Sequence, residues 1–157
     1  KDISGMIAIQ PVQGLRLAVW GWTGNFTGSN GVTVDRDRYM FSVFYDKDDW
    51  TFRTEYAHST GHSVLAADGK GGFTDKGKQQ GWYAALGIPC NAWLKTWLKY
   101  DAYQDDATSN STRTVFSIAP HIALHKNLWF LPTFGYVHEK ATDQNYCEAS
   151  IQMGVRF

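Results

Sequence analysis

Tyr146-Cys147-Glu148-Ala149-Ser150-Ile151-Gln152-Met153-Gly154-Val155-Arg156-Phe157 closes the chain, and its reading decides the fold. Phe157, Val155, Met153, Ile151, Ala149 and Cys147 fall on one face of an extended strand; Arg156, Gly154, Gln152, Ser150, Glu148 and Tyr146 fall on the other. Strict period-two alternation of this kind marks a strand between two unlike media. Chain ends usually fray into polar residues, whereas this one keeps its alternation to a final aromatic ring. The closing strand of an outer-membrane β-barrel has that form, with one face on lipid and the other on a wet lumen. We therefore take Ile151, Met153, Gly154, Val155 and Phe157 as a C-terminal signal for insertion by the barrel-assembly machinery.

Composition agrees with a barrel. Aromatic residues make up 15% of the 157 residues, yet the mean hydropathy is -0.36, a combination expected when half of each strand meets lipid and half meets water. No apolar run is long enough for a spanning helix, which excludes a helical membrane protein but not a barrel. The 15 basic and 15 acidic residues balance, so no nucleic-acid partner follows from charge. Cys90 and Cys147 fall near opposite ends of the strand layout, and both are expected as free thiols.

Working back from the C-terminus, extended segments alternate with short and long connections. The segments are 3–11, 15–25, 38–45, 50–59, 81–89, 93–103, 113–125, 128–137 and 146–157. Short turns near Gln13, Lys47, Asn91 and Asn127 gather at one rim, and long polar loops near Ser29, Gly71, Ser109 and Thr142 at the other. Outer-membrane barrels have short periplasmic turns and longer outer loops. Rings placed toward the rims form the expected aromatic belt: Tyr45, Trp50, Trp93, Trp129 and Phe157 on the turn side, and Trp22, Trp82, Tyr103 and Tyr146 on the loop side. Pro120 and Pro132 each cost a ladder hydrogen bond, with Pro132 a candidate bulge. The 60–80 connection, with Gly69 to Gly72 at its tip, has no apolar periodicity and reads as flexible.

The expectation is an all-β, antiparallel transmembrane barrel domain over residues 1–157 with eight or nine strands. Single-chain bacterial barrels have even strand numbers. Either the 3–11 segment is not a wall strand, leaving eight, or the chain is the C-terminal half of a porin of about sixteen strands. The second is preferred, because the chain starts inside a strand pattern.

The segments Gly-Trp-Tyr-Ala-Ala-Leu-Gly (81–87), Leu-Lys-Tyr-Asp (98–101), Ala-Pro-His with His-Lys-Asn-Leu (119–128) and the closing Gly-Val-Arg-Phe resemble the phosphate-selective porin O and P family, in its Bacteroides-type members. The resemblance implies a passive channel in the Gram-negative outer membrane for small anions such as phosphate, commonly a homotrimer. The family's anion-binding arginine ladder and constriction loop are expected largely in the preceding half, so those residues are not carried over.

Parity gives the pore-lining set: Arg16, Arg38, Arg53, Glu55, Lys95, Lys99, Asp101, Arg113, Glu148 and Arg156. Basic groups outnumber acidic ones, which favours anions. The plainer reading is that these groups solvate the wall and pair across strands, as Arg53 with Glu55 or Lys99 with Asp101. No metal, cofactor or catalytic residue is expected. His121 and His125 stand about 13 Å apart along a strand, and adjacent His58 and Ser59 point to opposite faces, so His62 and its neighbours make no ligand cluster or triad. A side-chain-filled barrel acting as anchor or adhesion surface through its loops is the alternative function.

Overall fold

A computed structural model describes residues 2–27, 33–61, 63–64, 72–73, 77–105 and 111–156. The expected loop centres at Ser29, Ser109 and Gly71, the Gly69 and Lys70 tip, His62 and the terminal Phe157 lie outside the described residues.

Every described element is a strand. In chain order they are β1 (Ile3–Val12), β2 (Leu15–Thr27), β3 (Thr33–Lys47), β4 (Trp50–Thr60), β5 (Ser63–Val64), β6 (Gly72–Phe73), β7 (Lys78–Asn91), β8 (Leu94–Gln104), β9 (Thr112–His125), β10 (Leu128–Glu139) and β11 (Gln144–Val155). Nine of them form one antiparallel meander, ordered β1-β2-β3-β4-β7-β8-β9-β10-β11, in which each strand pairs with the next along the chain. The 3–11 segment is thus a strand of the sheet, paired from Ile3↔Thr23 to Val12↔Leu15. Among the described residues no ladder joins β1 to β11, so the sheet has two free edges.

Three details differ from expectation. β3 begins at Thr33, well before Arg38, and pairs with β2 through Thr27↔Thr33. Part of the long connection is ordered as a small hairpin, with Ser63↔Phe73 and Val64↔Gly72, so Gly72 belongs to a strand. Pro132 marks no bulge. The β9–β10 register is the same on both sides of it, with Phe130↔Ile122 and Phe134↔Ile118, which sets Pro132 opposite Pro120. Two residues that lack an N–H share one gap in the β9–β10 ladder.

The tight turns have visible causes. Asp48 and Asp49 both have positive φ (51° and 66°), as a two-residue type I′ hairpin turn requires. Gly14, at φ 85°, lies where a side chain would run into the Asp46 carbonyl. Asp46 N–H donates to the Gly14 carbonyl at 2.9 Å, which ties the first two turns together.

The two faces of the sheet differ sharply. Along β9, Val115 is 3% exposed, Phe116 53%, Ser117 9% and Ile118 42%. The buried strand residues, among them Ala18, Ser42, Thr51, Ala85, Val115, Ser117 and Val137, share a face with the arginines and lysines. The apolar side chains on the other face, such as Ile7, Val19, Phe41, Phe134 and Ile151, stay exposed. A soluble sheet buries its apolar face; this one does the reverse.

Packing on the charged face sets large side chains over small ones. A Cβ on Gly87 would lie 3.1 Å from the Trp97 ring, and one on Gly81 would lie 3.4 Å from that of Tyr103. Gly135 sits under Glu148, and Gly154 under Trp129. On the opposite face, Gly5 and Gly21 have nothing within 4 Å. Side chains converge on the charged face and diverge on the apolar one, as they do when a sheet curls. We call them the inner and outer faces.

The crowding is directly testable. Gly87→Val should destabilise the protein by roughly 1–3 kcal/mol, an overpacking cost, while Gly21→Val should be neutral or stabilising. Denaturant unfolding followed by tryptophan fluorescence separates the two.

Candidate functional site

The register places the expected pore-lining strand residues on one face. Arg16↔Phe44, Phe44↔Arg53, Arg53↔Ala85, Ala85↔Lys99, Lys99↔Ser117, Ser117↔Gly135 and Gly135↔Glu148 form one continuous row. Glu55 and Asp101 lie one row closer to the loops, joined through Tyr83. Arg38, Lys95 and Arg113 share this inner face by parity. Arg156 follows the last strand residue, its N–H donating to the Asn127 carbonyl at 2.8 Å.

Across this face the cations are handled in two ways. Lys99 and Arg113 are paired with carboxylates. Arg113 binds Glu148 at 2.9 Å and lies 3.8 Å from Glu139, which also accepts a hydrogen bond from the Tyr146 hydroxyl at 2.7 Å. Lys99 lies 3.1 Å from Asp101, two residues along the same strand rather than across strands. The expected Arg53–Glu55 pair does not form. Glu55 instead accepts a hydrogen bond from Tyr83, whose ring also lies 5.2 Å from the Lys99 ammonium.

Arg53 and Lys95 instead rest on rings. Arg53 sits over Phe44 (5.6 Å) and Trp97 (5.8 Å), and Lys95 over Trp97 (5.2 Å). Lys95 donates to the Thr51 hydroxyl at 2.6 Å, and Thr51 donates to Asp46 at 2.7 Å. Among the described residues Arg16, Arg53 and Lys95 form no direct ion pair with a carboxylate. Arg16 and Arg53 line an open groove of about 380 Å³ with Phe44 and Asp46. A guanidinium on an aromatic face keeps its charge and its outward N–H groups, so it remains able to meet an anion.

A larger groove of about 470 Å³ lies toward the loops. Its residues Trp20, Met40, Ala57, Gly81 and Tyr103 form a single cross-sheet row. Sequence reading placed Tyr103 in the belt and assigned none of the five to a groove, because the row exists only once four inter-strand registers are known.

The outer face carries the rest of the expected signal. Ile151, Met153 and Val155 point outward and are exposed, while Gly154 faces inward and seats Trp129. The aromatic belt needs correction. Trp22, Tyr103, Tyr146 and Trp129 lie on the inner face, as their pairing with Arg38, Arg113, Val137 and Gly154 requires. Trp82 keeps its expected place, and the other outer-face rings toward the loop rim are Tyr39, Tyr56 and Tyr100, with Tyr39–Tyr56 centroids 6.1 Å apart and Trp82–Tyr100 5.2 Å apart. Tyr45 and Trp50 keep their places toward the turns. Cys90 and Cys147 are both free. No family model, curated protein or solved structure matches the chain.

The inner-face contacts differ in worth. Thr51 is 4% exposed and bridges Lys95 to Asp46, so Thr51→Val should cost roughly 1.5–3 kcal/mol. The Arg113–Glu148 pair is well exposed, at 37% and 48%. Glu148→Gln should therefore cost less than about 1 kcal/mol and lose most of that in high salt. Denaturant melts of both variants at low and high ionic strength check the contrast.

Proposed function

We propose that this chain forms part of the wall of an outer-membrane porin, a passive water-filled channel of the Gram-negative outer membrane. The observation that carries the reading is the inverted burial of the sheet. The middle of the outer face bears no Asp, Glu, Lys or Arg, and its Phe, Ile, Leu and Val side chains are exposed or half-exposed, none of them buried. From Phe116 to Leu124 that face is apolar at every second residue, a length of roughly 26 Å along the strand, matching the apolar band of roughly 25 Å on outer-membrane barrels. Rings flank it toward both rims, as an interfacial belt does. In lipid such a face is stable, whereas in water it would be a large uncovered patch.

The free edges favour a larger barrel over a small one. An eight-stranded barrel of β2 to β11 would need β11 to pair with β2, but both sides of β2 are taken by β1 and β3. A bilayer leaves no water to satisfy an unpaired strand edge. Closure through further strands, in a barrel of about sixteen, satisfies both edges and leaves an aqueous lumen. The porin O and P resemblance points the same way, with its homotrimer and assembly-machinery partners. The anchor reading, which needs a small filled barrel, has less support.

Preference for small anions, such as phosphate, follows from Arg16, Arg53 and Lys95 at the turn side of the lumen, none directly paired with a carboxylate among the described residues. Fixed positive groups there lower the barrier for anions and raise it for cations. Full-length protein in a planar bilayer should give stable current steps with an anion-selective reversal potential. Arg53→Glu with Lys95→Glu should move that potential toward cation selectivity. Silence from well-inserted protein would end the channel reading.

A further inference from the structure

We propose that the inner-face groove between Trp20 and Tyr103 is a binding subsite for a neutral oligosaccharide. The inference rests on the channel reading only in requiring that this face be wet.

The row Trp20–Met40–Ala57–Gly81–Tyr103 places Trp20 and Met40 at one end and Tyr103 at the other, with only the small residues Ala57 and Gly81 between them. Ala57 is exposed, and the Tyr103 ring lies over Gly81. The result is a trough with an apolar floor and a ring from each side, and its volume of about 470 Å³ is within the roughly 300–1,000 Å³ of small-molecule sites. Hydrogen-bonding groups flank it on both sides. Glu55, Tyr83 and Asp101 form the neighbouring row toward the turns, and Arg38, Ser59 and Gln79 lie toward the loops.

The charges here balance, unlike those nearer the turns. Lys99 is committed to Asp101 and Glu55 to Tyr83, while the Arg38 guanidinium rests 5.2 Å over the Trp22 ring. Two carboxylates in the lining oppose a phosphate or other anion. They are strong acceptors for hydroxyl donors, and Arg38 and Gln79 supply donors opposite them. A ligand that suits this lining presents apolar C–H faces to the rings and a rim of hydroxyls to the sides. A pyranose has that form, because its ring C–H groups carry partial positive charge toward the negative face of an aromatic ring.

The test uses the full-length protein folded in detergent micelles, titrated separately with maltotriose, cellotriose, xylotriose and inorganic phosphate. Tryptophan fluorescence and calorimetry read binding; current across a planar bilayer reads conduction on the same preparation. At least one trisaccharide should bind saturably in the millimolar range, and phosphate should not compete. Trp20→Ala and Tyr103→Ala should each weaken that binding by roughly tenfold, the upper end of a ring contact. Ala57→Leu fills the exposed floor without crowding the core and should abolish binding while leaving the unfolding transition in place. Arg53→Gln should leave it unchanged.

Absence of saturable binding by all three sugars overturns the inference, as does binding indifferent to Trp20→Ala, Tyr103→Ala and Ala57→Leu, or displaced by phosphate. Protein that conducts without binding sugar keeps the channel and loses this subsite. Protein that binds sugar without conducting does the opposite.

Discussion

Successive residues of a strand point to opposite faces, and in this sheet that constraint separates charge from apolar surface over nine strands. Everything else depends on the partition. The inner face can be crowded because its large side chains lie over glycine, alanine, serine and valine, as Trp97 lies over Gly87 and Trp129 over Gly154. Long cations are held there by rings and hydroxyls, so their stems pack while their heads remain in water. In the proposed membrane setting the outer face needs no packing partner within the chain, because lipid supplies one. A one-residue slip in any strand would put arginines among Phe116, Ile118 and Phe134 and reverse the arrangement.

The inner face holds its cations in two ways. Arg53 and Lys95 lean on Phe44, Trp97 and Thr51, which fixes their positions without cancelling their charge, and Arg16 lines the same groove as Arg53. Lys99 and Arg113 are instead paired with Asp101, Glu139 and Glu148.

Much of this was legible in the sequence because alternation survives in single strands. Phe116, Ile118, Pro120, Ile122 and Leu124 announce the outer face without any help from neighbours. The early start of β3 was hidden by Asp35, Arg36 and Asp37, polar residues that break the apolar pattern but still pair with Asn25, Gly24 and Thr23. The belt residues were misplaced for a different reason. Trp22, Tyr103 and Tyr146 share parity with Arg16, Lys99 and Glu148, so nearness to a rim outweighed a facing rule that was available. Trp129 is harder, since the register shifts beside Leu128. The Trp20–Tyr103 row, the facing prolines and the Lys95–Thr51–Asp46 chain require cross-strand register, which no single strand encodes.

The central claim is the identity of the two faces, and cysteine scanning along Val115 to Leu124 tests it most directly. Each position would carry a nitroxide in protein reconstituted into lipid vesicles, with Cys90 and Cys147 replaced by serine. The account predicts period-two accessibility: oxygen dissolved in lipid reaches 116, 118, 120, 122 and 124, and a water-soluble nickel chelate reaches 115, 117, 119, 121 and 123. Accessibility of the even positions to the chelate, or no alternation between the two sets, would contradict it.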